Sequence, residues 1–99
     1  MIHRVVFSPR SRRDLEKIRD YIAAESANME TADRWIAQLL DTCERLRTLP
    51  ERFPAYPYAR PWKMMPCASY LVFFQIHENE VRIGHIRHAA RRPFVGTAR

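Results

Sequence analysis

The residues best suited to chemistry lie near the carboxyl end, in the stretch HIRHAARRPF from 85 to 94. Its side chains that can hold positive charge near neutral pH are His85, Arg87, His88, Arg91 and Arg92. Cleavage of RNA through its own 2′-hydroxyl needs a general base, a general acid and cations that stabilise a charged phosphorane. The same cations would also bind the carboxylates of an acidic polypeptide. The stretch therefore predicts either an RNA-cleaving site or a surface that grips an acidic partner.

The nuclease interpretation makes His88 the acid or base and the neighbouring arginines the phosphate ligands. Side chains alternate along a strand, so His85 and Arg87 are expected on one side and His88 on the other. The preceding strand offers only Ser69 and Tyr70 as a second proton-transfer group. A polar strand end that merely solvates a basic edge therefore stays open as the simpler alternative.

Other reactive sites find less support in the sequence. The four histidines include no helical i, i+4 pair, and Cys43 and Cys67 are far apart in sequence, so no metal site is predicted. Cys43 lies on an apolar helical stripe, where a buried thiol is an ordinary packing residue. The only glycines are Gly84 and Gly96, so the chain has no glycine-rich phosphate loop. We expect no cofactor.

Composition limits the class of protein and of partner. The chain has 99 residues and a net charge of +6, with a pI near 10.0, which predicts a single domain over 1–99 and an acidic partner. The cations are spread along the chain rather than concentrated on one helix, which disfavours direct reading of DNA. Two cysteines without C-x-x-C spacing, no apolar leader and no run of about 18 apolar residues predict a cytoplasmic protein.

The amino-terminal half predicts a strand followed by two helices. Residues 2–7 (IHRVVF) are β-branched and aromatic, as in strands. Ser8 and Pro9 are typical of an N-cap and a first helical position, and the helix is expected to run to about Glu25. Asn28 is the expected cap of a second helix, whose apolar residues form one continuous stripe and which ends before the next proline.

The carboxyl-terminal half predicts a loop and then paired strands. Five of the seven prolines fall within 50–66, which predicts a long loop with at most a short strand near Lys63–Met65. Residues 69–76 and 80–88 have the composition of two strands, and 77–79 of their hairpin turn, with Asn79 suited to a positive φ. The predicted order is β-α-α-β-β-β. This is an α+β fold in which an antiparallel sheet carries an N-terminal helical hairpin on one face.

The strand YLVFF is apolar on both of its alternating faces. Tyr70, Val72 and Phe74 occupy one face, and Leu71 and Phe73 occupy the other. Two helices can cover only one face of a sheet, so the second face needs another cover. The candidates are the carboxyl-terminal tail, a second copy of the chain and another protein.

Three stretches together resemble the RelE/ParE superfamily, the toxins of bacterial type II toxin–antitoxin systems. FSPRSRRDLEKIRDYI (7–22) is similar to the superfamily's opening strand, Ser-Pro cap and first helix. ADRWIAQLLDTCERLRTLPERFP (32–54) resembles its second helix and exit. KMMPCASYLVFFQIHENEVRIGHIRHAAR (63–91) resembles its sheet and final signature. The resemblance covers nearly the whole chain and rests on the order and spacing of these stretches.

The superfamily contains ribosome-dependent mRNA endonucleases related to RelE and inhibitors of DNA gyrase related to ParE. As an endonuclease the chain would use Lys63, His88 and Arg91. Leu71, however, stands where the nucleases carry a central arginine, and neither Tyr nor His follows Arg92. Loss of one such donor costs about 10²–10³ in rate. The resemblance therefore favours a gyrase inhibitor that is not an enzyme, with the endonuclease as the alternative and an inert antitoxin-binding relative as a third.

The resemblance also implies the partner and the sites. The antitoxin would resemble ParD, with a ribbon-helix-helix N-terminus that binds DNA and a disordered acidic segment that covers the toxin. The residues assigned to the target surface are Lys63, Arg87, His88, Arg91, Arg92 and Phe94. The residues assigned to the antitoxin groove, or to the core beside it, are Trp35, Leu39, Tyr70, Val72 and Phe74.

Overall fold

The computed structural model describes residues 2–90, which form two α-helices and a four-stranded sheet. The elements in chain order are β1 (Arg4–Phe7), α1 (Pro9–Ser26), α2 (Met29–Glu44), β2 (Lys63–Cys67), β3 (Tyr70–His77) and β4 (Glu80–His88). Two short 3-10 turns, Arg45–Arg47 and Pro50–Arg52, follow α2. The order is the predicted β-α-α-β-β-β. Neither helix is both long and apolar enough to cross a membrane.

Both helices begin where their capping residues predict. The Ser8 side chain accepts a hydrogen bond from the backbone N–H of Ser11 at 3.0 Å, and Pro9 occupies the first turn. The Asn28 side chain accepts from the N–H of Thr31 at 3.1 Å. Each cap satisfies a backbone donor that the helix itself cannot, which stabilises the helix by about 1 kcal/mol.

The sheet is mixed, and in this respect the expectation of a wholly antiparallel sheet is wrong. The strand order is β1-β4-β3-β2, and β1 pairs with β4 in parallel, from Arg4↔Glu80 to Phe7↔Ile83. The other two pairings are antiparallel, so β1 and β2 also run in the same direction. Parallel strands need a crossover connection, and the chain between β1 and β4 supplies it through α1, α2, β2 and β3. The α+β class is confirmed.

The β3–β4 hairpin has a turn of two residues, Glu78 and Asn79, because His77 pairs with Glu80. The residue with positive φ is Glu78, at 56°, and not Asn79 as predicted. A two-residue turn with positive φ only at its first position resembles a type II′ turn. The general preference of Asn for positive φ therefore predicted the wrong one of the two turn residues.

The main core lies between the helices and the sheet. Its buried side chains come from α2, the first 3-10 turn after it, β2, β3 and β4, and they are Leu39, Cys43, Leu46, Met65, Val72, Phe74, Val81, Ile83 and Ile86. A register shift in the β3–β4 ladder leaves Gly84 as an extra residue, since Phe73 pairs with His85 and Phe74 with Ile83. The shift places Ile83 and Ile86 on the same, helix-facing side of the sheet.

The second face of β3 is covered by the chain itself. Tyr56, Ala59 and Trp62, from the proline-rich loop, pack with Phe73 in a second buried cluster, and Leu71 is partly buried against it. The prediction that a tail, a second copy or another protein must provide this cover is therefore wrong. The loop has no periodic apolar spacing, so its sequence pattern does not predict that it packs on a sheet. Its aromatic residues nevertheless supply the apolar area that covers β3.

Beyond the end of β1, residues at the start of α1 form the hydrogen bonds with the edge of β4. Ser8 donates from its N–H to the carbonyl of Ile83 at 2.9 Å and from its hydroxyl to the carbonyl of Gly84 at 3.1 Å. One turn later the Asp14 carboxylate accepts from the N–H of Ile86 at 3.0 Å. Side chains of α1 thus replace the neighbouring strand that β4 lacks beyond β1.

Replacement of Asp14 by alanine should lower the free energy of unfolding by about 2 kcal/mol, because the N–H of Ile86 loses a charged acceptor in a partly buried position. Asp14→Asn is the matched control, since its amide oxygen can still accept. Denaturant titration should show the smaller loss for asparagine, and the amide of Ile86 should exchange faster only in the alanine variant. Equal losses in the two variants would show that the hydrogen bond is not the stabilising contact.

Candidate functional site

A groove runs along α1 on the helix side of the sheet, in two connected sections that share Ile18 and Tyr70. The first section, about 320 Å³, opens between α1, α2 and the end of β2, and Trp35 lines it. The second, about 360 Å³, opens between α1 and the end of β4, with Tyr21 and His88 in its lining. We call the two sections together the helix groove. Trp35 and Tyr21 leave 42% and 60% of their surface exposed, so the groove presents aromatic area to solvent.

Three of the five residues assigned to the antitoxin groove lie in the helix groove, namely Trp35, Leu39 and Tyr70. The other two, Val72 and Phe74, are 0% exposed and belong to the main core. Of the two roles foreseen for them, only the core role is physically open, because a fully buried side chain cannot contact a partner.

The basic cluster at the end of β4 is divided between the two faces of the sheet. The His88 ring packs edge-on against Tyr70, with 5.3 Å between centroids, and lies in the helix groove. The His85 ring packs against Trp62 on the opposite face, at 5.0 Å. Arg87 also lines the second section of the helix groove. The remaining assigned residues, Arg91, Arg92 and Phe94, lie outside the described residues.

Lys63 lies far from this cluster. It begins β2 opposite Phe74, whereas His88 ends β4 opposite Tyr70. Four residues along β3 and two strand spacings across it separate the two positions by roughly 16 Å. The Lys63 ammonium also donates a hydrogen bond to the Phe53 carbonyl at 3.0 Å. Lys63 and His88 therefore do not converge on one point in this arrangement.

The cysteines do not form a reactive centre. Burial raises the pKa of the Cys43 thiol to about 12, with smaller contributions from Cys67 and Glu44, so this thiol is protonated at neutral pH and is a poor nucleophile. Cys67 is half-buried in the lining of the helix groove. Between residues 2 and 90 no three potential metal-ligating side chains come together.

His85 gives the protein a predicted sensitivity to mild acid. Burial lowers the pKa of His85, Arg10 and Arg87 lower it further, and Asp14 opposes them. The unfolded chain then binds the proton more readily than the folded chain. The contribution of neutral His85 to the free energy of unfolding is therefore complete above the ordinary histidine pKa, and it is lost as the pH falls through the lower pKa of the folded state. Between pH 7.5 and 5.5 the thermal midpoint should fall further for wild type than for His85→Gln. Parallel curves for the two proteins would contradict this assignment.

The comparisons with known proteins decide the family. A family model described as the ParE toxin of the type II toxin–antitoxin system parDE matches residues 5–93. The chain belongs to the ParE toxin family. A solved structure described as a chromosomal ParDE toxin–antitoxin system from P. aeruginosa superposes with a TM-score of 0.77 over 88% of this chain and 96% of that one. Its sequence identity is 14%, so it supports the ParE fold alone. No curated protein matches the sequence.

Sequence patterns missed part of the lining of the helix groove in this ParE toxin. Asp14, Lys17, Ile18 and Tyr21 line its second section but were not among the predicted site residues. The helical spacing of Ile18 and Tyr21 was visible and predicts one face of a helix. Spacing alone cannot show that this face extends past the sheet, which leaves Tyr21 exposed.

Proposed function

We propose that this ParE toxin inhibits DNA gyrase by binding it, without catalysis, in the cytoplasm, and that a ParD-like antitoxin neutralises it. The antitoxin would bring a DNA-binding ribbon-helix-helix N-terminus, so that the toxin contacts DNA only indirectly. The separation of Lys63 from His88 is the observation that carries the non-enzymatic part of the proposal.

An mRNA endonuclease would need cations and proton-transfer groups around one phosphate. Lys63 is held against the Phe53 carbonyl, at the other end of β3 from His88. Leu71 occupies the central strand position, partly buried against the second cluster, and offers no charge to a phosphorane. These positions disfavour the nuclease alternative.

The helix groove supports an antitoxin-binding role. Ile18, Trp35 and Leu39 give it apolar walls, and Lys17 and Arg87 add cations at the β4 end. A segment with an apolar face and acidic residues at one end would bury the former and pair with the latter. The net charge of +6 would favour the same acidic partner by steering its approach.

The gyrase proposal predicts that the purified toxin blocks DNA supercoiling and leaves ribosome-bound messages intact. The double variant Arg91→Ala/Arg92→Ala should need at least about tenfold more toxin for equal inhibition, since each lost charged contact contributes on the order of 1 kcal/mol. The control Arg34→Ala/Arg45→Ala removes the same charge from an exposed surface of α2 and the turn after it. The thermal midpoint should stay nearly constant in both variants.

Two results would contradict the proposal. Cleaved messages together with normal supercoiling would establish the endonuclease. Normal supercoiling, intact messages and unimpaired growth on expression of the toxin alone would establish the inert relative.

A further inference from the structure

The two outer edges of the sheet differ in their ability to accept another strand. On β2 the N–H of Met64 donates to the Pro54 carbonyl at 3.1 Å, and Ala55 bridges Lys63. Alternation places Pro66 on the same outward side as Met64, and proline has no N–H to offer. The β2 edge is therefore closed to an incoming strand.

The outer edge of β1 is open. Arg4 donates its N–H to the Asn79 carbonyl at 2.7 Å, and Ser8 donates to Ile83 at 2.9 Å, so even-numbered residues face β4. By alternation, Val5 and Phe7 direct their N–H and C=O groups away from the sheet. Within residues 2–90 these groups have no hydrogen-bond partner. Unpaired backbone groups on a strand edge are a template for pairing with another chain.

Just before β1, the outer edge already pairs with another segment of the chain itself. The N–H of His3, also outward-facing, donates to the Arg47 carbonyl at 2.7 Å, and Ile2 forms an antiparallel bridge with Thr48. Beside this contact lies a depression of about 370 Å³, lined in part by Val5 of β1 and by Glu44 at the end of α2. An added antiparallel strand would continue the line that Thr48 begins.

The composition of β1 does not protect this edge. Its sequence, RVVF, contains β-branched and aromatic residues and no proline, and its only charge, Arg4, is bound to the Glu80 carboxylate on β4. Edge strands that must stay unpaired usually carry free charges, proline or a bulge. The open edge therefore has the properties of a strand-pairing surface.

Charge favours an acidic occupant over a second copy of the toxin. Beyond Phe7 the edge meets three exposed arginines of α1, which are Arg10, Arg12 and Arg13. None of the three forms an ion pair with a carboxylate in the described part of the chain. Antiparallel pairing of two β1 strands would bring Arg4 of each copy toward the three α1 arginines of the other copy. Like-charge repulsion opposes this arrangement.

We propose that the outer edge of β1 accepts one antiparallel strand from the antitoxin, an extended segment with apolar residues at its centre and an acidic residue where it meets the arginines of α1. This inference rests on the proposed antitoxin and adds a second contact surface, separate from the helix groove. The strand bonds the outward groups of Val5 and Phe7.

Amide exchange of the complex tests the proposal directly. The probe is the full-length product of the neighbouring reading frame, bound to the intact toxin. The amides of Arg4, Val6 and Ser8 should be protected in both the free and the bound toxin. Those of Val5 and Phe7 should exchange rapidly in the free toxin and at least tenfold more slowly in the complex.

A pair of variants separates backbone pairing from side-chain packing. Val5→Pro removes an outward N–H and spares the bonds to β4, whereas Val5→Ala keeps the N–H and removes most of the side chain. Val5→Pro should weaken binding of the antitoxin at least about tenfold relative to Val5→Ala, the effect of one lost hydrogen bond and a steric clash. The exchange measurement needs no variant and stays decisive if Val5→Pro does not fold.

The possible results separate this inference from the proposed function. A stable complex in which Val5 and Phe7 exchange as fast as in the free toxin overturns the strand pairing and leaves the antitoxin proposal standing. Protection of both amides in the free monomer, or protection that appears with dimerisation, shows that the chain itself occupies the edge and also overturns it. Absence of any complex contradicts the proposed neutralisation, and the strand pairing with it.

Discussion

Replacement of Gly84 by alanine is expected to lower the free energy of unfolding by about 3 kcal/mol, at the upper end of the range for overpacked cores. A Cβ atom at this position would lie 2.1 Å from Cη2 and 2.5 Å from Cζ3 of Trp62. The indole is 2% exposed and packs against His85, so it cannot move aside without opening the second cluster. For a chain of this length the thermal midpoint should fall by roughly 12–24 °C.

A double-mutant cycle identifies the cause. Trp62→Ala alone should cost about 3–5 kcal/mol, because it leaves a cavity over Phe73. In that background Gly84→Ala should cost little more, because the new methyl group then has room. Additive losses would show that Gly84 is required for the backbone of the register shift rather than for the close approach of Trp62.

Replacement of Trp35 by alanine is expected to weaken antitoxin binding about 30-fold, equivalent to about 2 kcal/mol, as for a central aromatic residue of an interface. The indole lies in the first section of the helix groove and is already 42% exposed in the free toxin. Its apolar surface is therefore available to a partner and contributes less to the fold than a core residue does. Titration calorimetry with the full-length antitoxin measures the affinity, and a thermal scan measures the fold.

Tyr58→Ala provides the matched control for Trp35. Tyr58 is 54% exposed and contacts the Tyr56 ring, in the loop that covers the opposite face of the sheet. Its replacement should leave antitoxin affinity unchanged within about threefold, an energy of about 0.6 kcal/mol. If the two variants lose affinity equally, the partner does not select the helix groove. If Trp35→Ala lowers the thermal midpoint as far as Gly84→Ala, the indole is a structural residue.

The elements that follow from short-range rules were predictable from the sequence. Ser8 and Asn28 marked the helix starts because their caps act within one turn. The parallel pairing of β1 with β4 depends on contacts 76 residues apart, which local patterns do not encode. The order of strands therefore emerged only from the structure.

The candidate site was predictable in its chemistry but not in its layout. The spacing of Trp35 and Leu39 marked one apolar face of α2, and both residues line the helix groove. Both faces of YLVFF were correctly predicted to need cover, yet Trp62 and its loop supplied the second cover without any periodic signal. Lys63 was grouped with His88 through the resemblance, and only the strand register shows that they lie at opposite ends of the sheet.

The parallel pairing of β1 with β4 has a consequence for folding of the toxin during its synthesis on the ribosome. Among the described strands, the first to be synthesised pairs with the last, from Arg4↔Glu80 onward. At about 5–20 residues per second, β1 waits several seconds for its partner to leave the exit tunnel. The helical hairpin can form during that interval, whereas the complete sheet cannot. Each nascent chain therefore passes through a stage in which its sheet is incomplete, and that stage ends only after β4 has been translated.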